Sequence, residues 1–159
     1  MSAELEFGLL GPFFVLRDRA PVQVPQGKQR VLLTALLLNA GRVVSVGELS
    51  DMMWGAQPPV SARVTLQNYV KRLRALLGDS GRRISTVPPG YLMDVKPGEL
   101  DVQRFESLLS AGRAAVRAGG WADAAARLGQ ALSLWRGEPL DPGNRRFAGR
   151  WARQYLRRG

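Results

Sequence analysis

Apolar residues recur along this chain with two different periods, and each change of period marks the start of an element. In residues 61–78, SARVTLQNYVKRLRALLG, the side chains of Ala62, Leu66, Tyr69, Val70, Leu73, Leu76 and Leu77 share one side of a helix turning about 100° per residue. Val64, Gln67, Asn68, Lys71 and Ala75 fall opposite, flanked by Arg63, Arg72 and Arg74. Two readings fit this outward face. It is an ordinary solvated face, or it reads DNA: Gln and Asn hydrogen-bond adenine bidentately, Arg and Lys suit guanine or phosphate, and small apolar groups touch a thymine methyl. The surrounding segments decide between them.

Upstream, residues 5–16 and 22–24 read as short strands broken by Gly11-Pro12 and by the turn Arg17-Asp18-Arg19, which predicts a small antiparallel sheet. After Pro25-Gln26-Gly27, residues 28–39 are apolar on almost every side, the mark of a central helix, and Gly41 closes it. Residues 42–44 form a brief extended link. Ser45-Val46-Gly47-Glu48 matches the capping box, so a second helix runs from about Val46 to Trp54, with Trp54 as a core anchor. The prolines of residues 55–59 forbid helix, and Ser61 is placed to cap the next one. Past Gly78 the chain turns, and residues 84–87 and 91–95 alternate as a hairpin about Pro88-Pro89-Gly90. Strands, a helix, two further helices joined by a loop and a closing hairpin describe an α+β winged helix-turn-helix, whose third helix is the polar, basic one.

The pattern changes after residue 98. Asp101 is placed as an N-cap, and Phe105, Leu108, Leu109, Gly112, Ala115 and Val116 keep helical spacing up to Gly119-Gly120. Trp121, Ala124, Ala125, Leu128, Ala131, Leu132 and Trp135 do so again. Two antiparallel helices with small residues where they meet predict a tetratricopeptide-like hairpin. It is incomplete, because each such pair needs a neighbour to cover its apolar face. The chain thus divides into a winged-helix domain, 1–97, and a partial all-α domain, 98–159. Residues 144–159 carry six arginines and no carboxylate, and read either as a solvated tail or as a second DNA contact.

Composition narrows the chemistry. The chain of 159 residues has no Cys and no His, which removes thiol and imidazole catalysis and nearly every zinc site. Carboxylates such as Asp18, Asp79 and Asp94 fall in turns and form no pair, and no GxxxxGK[ST] loop occurs. No enzyme activity, catalytic residue, metal or cofactor is expected. The net charge of +10 favours a polyanionic partner. It is shared evenly: 12 basic against 7 acidic residues up to Gly98, and 11 against 6 beyond it, give +5 and +5, so charge alone does not locate the binding face. The longest apolar run, residues 31–38, is far short of the roughly 20 residues of a membrane span, and no signal peptide is evident. A cytoplasmic protein without membrane contact is expected.

The segment GKQRVLLTALLLNAGRVVSVGELSDMMWG, followed by PP, ARVTLQNYVKRLRALLG and TVPPGYLMDV, closely resembles the OmpR-type winged-helix domain of the Streptomyces antibiotic regulatory proteins, the AfsR-like activators. DVQRFESLL and AAARLGQALSLWRGEPL resemble the opening of the bacterial transcriptional activator domain that follows it in that family. The resemblance implies a four-stranded leading sheet, of which the residues place three strands. It implies double-stranded DNA as partner, bound in the major groove by the helix 61–78, with two or more protomers on direct repeats. Base-edge contact falls to Val64, Gln67, Asn68, Lys71 and Arg72, and phosphate contact to Thr65, Tyr69 and Arg74, so Arg74→Ala is expected to weaken all sequences alike. By their own spacing, Tyr69 fits core packing equally well, and Val64 fits a plain exposed residue. Arg63 flanks the helix, and Arg82 and Arg83 at the hairpin base, with Lys28 and Arg30 on the first long helix, are further phosphate candidates. Residues 55–60 occupy the place where the family faces RNA polymerase, although the residues themselves show only a rigid spacer. Pro88 and Leu92 stand where the wider OmpR class often has arginine, which argues against minor-groove insertion by the hairpin. The function implied is activation of a secondary-metabolite gene cluster. A different reading is a protein-interaction module that pairs with a full-length homologue, and exposed apolar surface after Val102 would favour it.

Overall fold

A helix with no polar face must be surrounded, and α1 (Lys28–Leu38) is: Leu32, Leu33, Ala35, Leu36 and Leu37 are all buried. The computed structural model describes residues 3–137, without the side chains of residues 79–81, and the basic stretch 144–159 lies outside the described residues. Against α1 pack α2 (Val46–Trp54) and α3 (Ala62–Leu76), and two three-stranded antiparallel sheets flank this trio. The N-terminal sheet has the order β1-β2-β3, from β1 (Leu5–Gly8), β2 (Phe14–Arg17) and β3 (Ala20–Pro21), with Phe7 opposite Val15 and Arg17 opposite Ala20. The third strand lies just ahead of the expected 22–24, because Asp18 and Arg19 turn the chain within two residues, both at positive φ. Val22 still donates its amide to the Val15 carbonyl at 2.9 Å. No fourth strand joins this sheet among the described residues.

The second sheet is the wing. Its order is β4-β6-β5, from β4 (Val43–Ser45), β5 (Ile84–Val87) and β6 (Gly90–Met93). The link expected at 42–44 is therefore a strand, with Val44 opposite Tyr91. Gly90 makes that pairing sterically feasible, since a Cβ there would stand 1.8 Å from the Val44 carbonyl oxygen. The Val46 amide donates to the Pro89 carbonyl at 3.1 Å and ties the wing turn to the start of α2.

The capping box at α2 forms as expected. The Glu48 amide donates to the Ser45 hydroxyl at 3.0 Å and the Ser45 amide to the Glu48 carboxylate at 3.2 Å. Ser45→Ala is expected to lower stability by about 1 kcal/mol in urea titration. Ser61 behaves differently: it holds the N-cap position of α3, but its side chain bonds no backbone amide and instead accepts from the Thr65 hydroxyl at 3.5 Å. Trp54 is half-buried and packs on the core.

Beyond the wing, α4 (Asp101–Arg117) and α5 (Trp121–Ser133) form the expected helical hairpin. The helices approach closely at Gly112, where a Cβ would stand 2.9 Å from Leu128, and Phe105 meets Trp135 edge-on at 5.5 Å. Ala124 and Ala131 are buried, whereas Trp121 and Leu132, each 69% exposed, face outward.

Asp101 is a correction to the expected cap. The N-cap position belongs to Leu100, and the Asp101 carboxylate reaches across to β1's exit, accepting the amides of Leu9 at 2.9 and 3.0 Å and of Leu10 at 2.9 Å. Phe7 donates its amide to the Glu99 carbonyl at 2.7 Å. Arg136, just past α5, donates its amide to the Leu10 carbonyl at 2.9 Å and its guanidinium to the Pro12 carbonyl at 3.1 Å, and lies 3.6 Å from Asp101. One hydrophobic cluster runs from Leu5 through α1 and α3 to Phe105 and Ala131. The helical hairpin is therefore seated on the N-terminal sheet by its open end, where the start of α4 and the residues just past α5 come together.

Candidate nucleic-acid interface

The helix α3 is anchored by Leu66, Val70, Leu73 and Leu77, all buried, with Leu76 and Tyr69 half-buried against the same cluster. Its opposite face is open. Arg63, Val64, Gln67, Asn68, Lys71 and Arg72 are exposed, and Val64 retains 59% of its surface. Five polar or charged side chains thus stand on one rigid helix with no described residue over them, the presentation that groove reading requires. Thr65 and Tyr69 lie at the margin, both half-buried, and the Arg72 guanidinium sits 5.9 Å from the Tyr69 ring centre. Tyr69 therefore serves the core and borders the open face at once.

Several arginines are committed elsewhere. Arg74 is half-buried; its Nε donates to the Ile84 carbonyl and its terminal nitrogen to the Thr86 hydroxyl, each at 2.9 Å. Arg17 reaches from β2 to the Leu76 carbonyl at 2.9 Å and satisfies an end of α3. Arg83, expected at the DNA backbone, is 6% exposed and forms a two-pronged pair with Glu99 at 2.6 and 2.8 Å. It cannot face phosphate from there, and it leaves the candidate set. Its bond to Glu99 raises the Arg83 pKa above the ordinary value, against burial. For Glu99, burial pushes the carboxyl up, but the hydrogen bonds from Arg83 and the Lys96 amide, together with the charge of Arg83, hold it below the usual range. Arg82 remains exposed. Of the two candidates on α1, Lys28 donates to the Met53 carbonyl, and Arg30 donates to the Val24 carbonyl at 2.9 Å with its guanidinium 4.8 Å from the Phe13 ring.

The wing is uncharged. Residues 84–90, ISTVPPG, hold no ionisable side chain; Ser85, Thr86, Pro88 and Pro89 are exposed. Thr86, which the sequence does not distinguish from any other strand threonine, accepts the Arg74 hydrogen bond on β5. No group of three or more His, Cys, Asp or Glu among the described residues is placed to hold a metal ion, and no helix among them is long and apolar enough to cross a membrane.

This geometry defines a winged-helix fold whose third helix has an open polar face, joined to a tetratricopeptide-like hairpin. Residues 24–93 match the family described as transcriptional regulatory protein, C terminal, and residues 100–158 match the bacterial transcriptional activator domain. The chain is 38% identical to the transcriptional regulatory protein EmbR of Mycobacterium tuberculosis over 145 residues, 89% of this chain and 37% of that one. It is 40% identical to the regulatory protein AfsR of Streptomyces coelicolor over 87% of this chain and 14% of AfsR, and 39% identical to the regulatory protein DnrI of Streptomyces peucetius over 86% of this chain and 53% of DnrI. A solved structure of Mycobacterium tuberculosis EmbR, in complex with a low-affinity phosphopeptide, superposes with a TM-score of 0.88 at 35% identity, covering 98% of this chain and 42% of that one. The chain thus carries a transcriptional-regulatory C-terminal domain followed by a bacterial transcriptional activator domain, and its homologues are regulators of the Streptomyces antibiotic regulatory protein family. It spans between about a seventh and a half of the length of these relatives.

Proposed function

We propose that this chain is a sequence-specific DNA-binding regulator that activates transcription of an antibiotic or other secondary-metabolite gene cluster in the cytoplasm. One observation carries the reading: Val64, Gln67, Asn68, Lys71 and Arg72 stand exposed together on a helix whose other side is locked into the core. In this reading the winged-helix domain, 1–97, lays α3 in the major groove. Thr65, Tyr69, Arg63 and Arg82 lie along phosphates at its edges, and several protomers occupy direct repeats. The loop 55–60 faces RNA polymerase, and the helical domain, 98–159, rides on the bound winged helix. No catalysis or cofactor is involved. The test is selection of bound duplexes from a random library, repeated at low and near-physiological salt. Enrichment of short direct repeats about one helical turn apart supports the reading; binding without sequence preference that vanishes with salt defeats it.

A second reading draws on the exposure of Trp121 and Leu132 on α5 and of Val116 at the end of α4. Such a face suits a protein partner, and pairing with a full-length homologue would use it. Sedimentation of a mixture with such a homologue decides: a complex lost on Leu132→Asp supports pairing, and independent sedimentation refutes it.

A further inference from the structure

Two observations meet at the C-terminal end of α3. The wing carries no charge between residues 84 and 90, so whatever it contributes on DNA comes from hydroxyl hydrogen bonds and close contact. Those interactions fade within a few tenths of an ångström, whereas Coulomb attraction tolerates displacement. A neutral wing therefore depends on being held at the right distance from the recognition helix. β5, its outer strand, has β6 as a strand neighbour on one side only.

The tie on the helix side is Arg74. Its guanidinium bridges two points of β5, the Ile84 carbonyl and the Thr86 hydroxyl, both at 2.9 Å. The helix end that carries it is itself held by Arg17 at the Leu76 carbonyl. The wing's far end is held by the Val46 amide at the Pro89 carbonyl. A planar fork presents two nitrogens in fixed geometry to a carbonyl and a hydroxyl, whereas the three donors of an ammonium radiate from a single nitrogen on a flexible stem and lack that spacing.

We propose that Arg74 is a positioning residue that sets the wing against the recognition helix through Ile84 and Thr86. This inference rests on the DNA-binding reading above, and it departs from a phosphate contact by Arg74. Arg74 stays on the protein side of the interface. Its charge neutralises no phosphate, and Thr86 is as much a part of the device as the arginine.

The test compares Arg74→Met, Arg74→Lys and Thr86→Val with the unaltered chain, at a temperature where circular dichroism shows all four folded. On the selected duplex, Arg74→Met is expected to bind about tenfold more weakly, the size of one hydrogen bond from a charged group. Thr86→Val should bind about threefold more weakly, as befits a neutral bond. Neither should change the slope of log affinity against log salt, and Arg74→Lys should resemble Arg74→Met. Protection from hydroxyl radicals should be lost only on the flank covered by the wing. A slope reduced by about 0.9, with Lys restoring affinity and Thr86→Val unaffected, would mean a phosphate contact and overturn the proposal. Unchanged affinity in every folded variant would overturn it too. Hydrogen exchange without DNA separates its failure from that of the DNA reading: the amides of residues 84–87 should exchange faster in Arg74→Met and Thr86→Val, and unchanged exchange refutes the tie whatever the chain binds.

Discussion

Replacing Gln67 or Lys71 by alanine is expected to cost about 1–3 kcal/mol of binding free energy on the preferred duplex and to relax discrimination at the base pair each side chain faces. Both residues are exposed on a helix whose buried face, Leu66, Val70 and Leu73, fixes its rotation, so truncation leaves the helix in place and removes only the contact. The loss should fall on the preferred duplex and spare non-specific binding, because phosphate contacts elsewhere are untouched. Competition with duplexes changed one base pair at a time measures it. Should both variants keep the full sequence preference of the parent, the open face of α3 reads no bases.

Glu99→Ala is expected to destabilise the fold by about 3–5 kcal/mol, because it strands the Arg83 guanidinium, 6% exposed, without its counter-ion. Loss of charge alone is separable from loss of shape. Glu99→Gln keeps the shape and one acceptor, and should remove a pH dependence that the parent shows. The sign follows from the lowered pKa of Glu99. Its stabilising contribution is complete above the unfolded carboxyl value, about 4.3, and disappears as pH falls through the lower folded value. Urea titrations from neutrality down through that window should converge for parent and Gln variant at the acid end. Parallel curves at every pH would show that the pair contributes nothing electrostatic.

The amphipathic stripe of α3 was legible because a helix repeats every 3.6 residues, and seven apolar positions in eighteen leave little freedom in assigning its faces. The capping box at Ser45 was legible for the same reason, since both partners lie within one turn. What escaped was long-range. β4 has three residues, too few to show a period, and exists because β6 pairs with it. Asp101 looked like a cap because it sits at a helix start, but its hydrogen bonds run to residues 91 and 92 positions away. Arg74 and Arg83 look alike to a helical wheel or a charge count. Only the folded chain shows that one holds a strand and the other is buried against Glu99. Among the candidate contacts, the local pattern identified the exposed set on α3 and gave no sign that Arg74 and Arg83 are hydrogen-bonded within the protein.

The seat made by Asp101 and Arg136, side by side at the open end of the helical hairpin, turns a linker into a bracket. For protomers that occupy direct repeats, a bracket converts the pitch of the duplex into the bearing of each hairpin. Repeats one turn apart point all hairpins to the same side of the double helix, and half a turn of inserted DNA sends alternate ones to the far side. A flexible tether would erase that difference. On the proposed DNA-binding reading, the bearing of α4 and α5 would thus be set by the operator spacing.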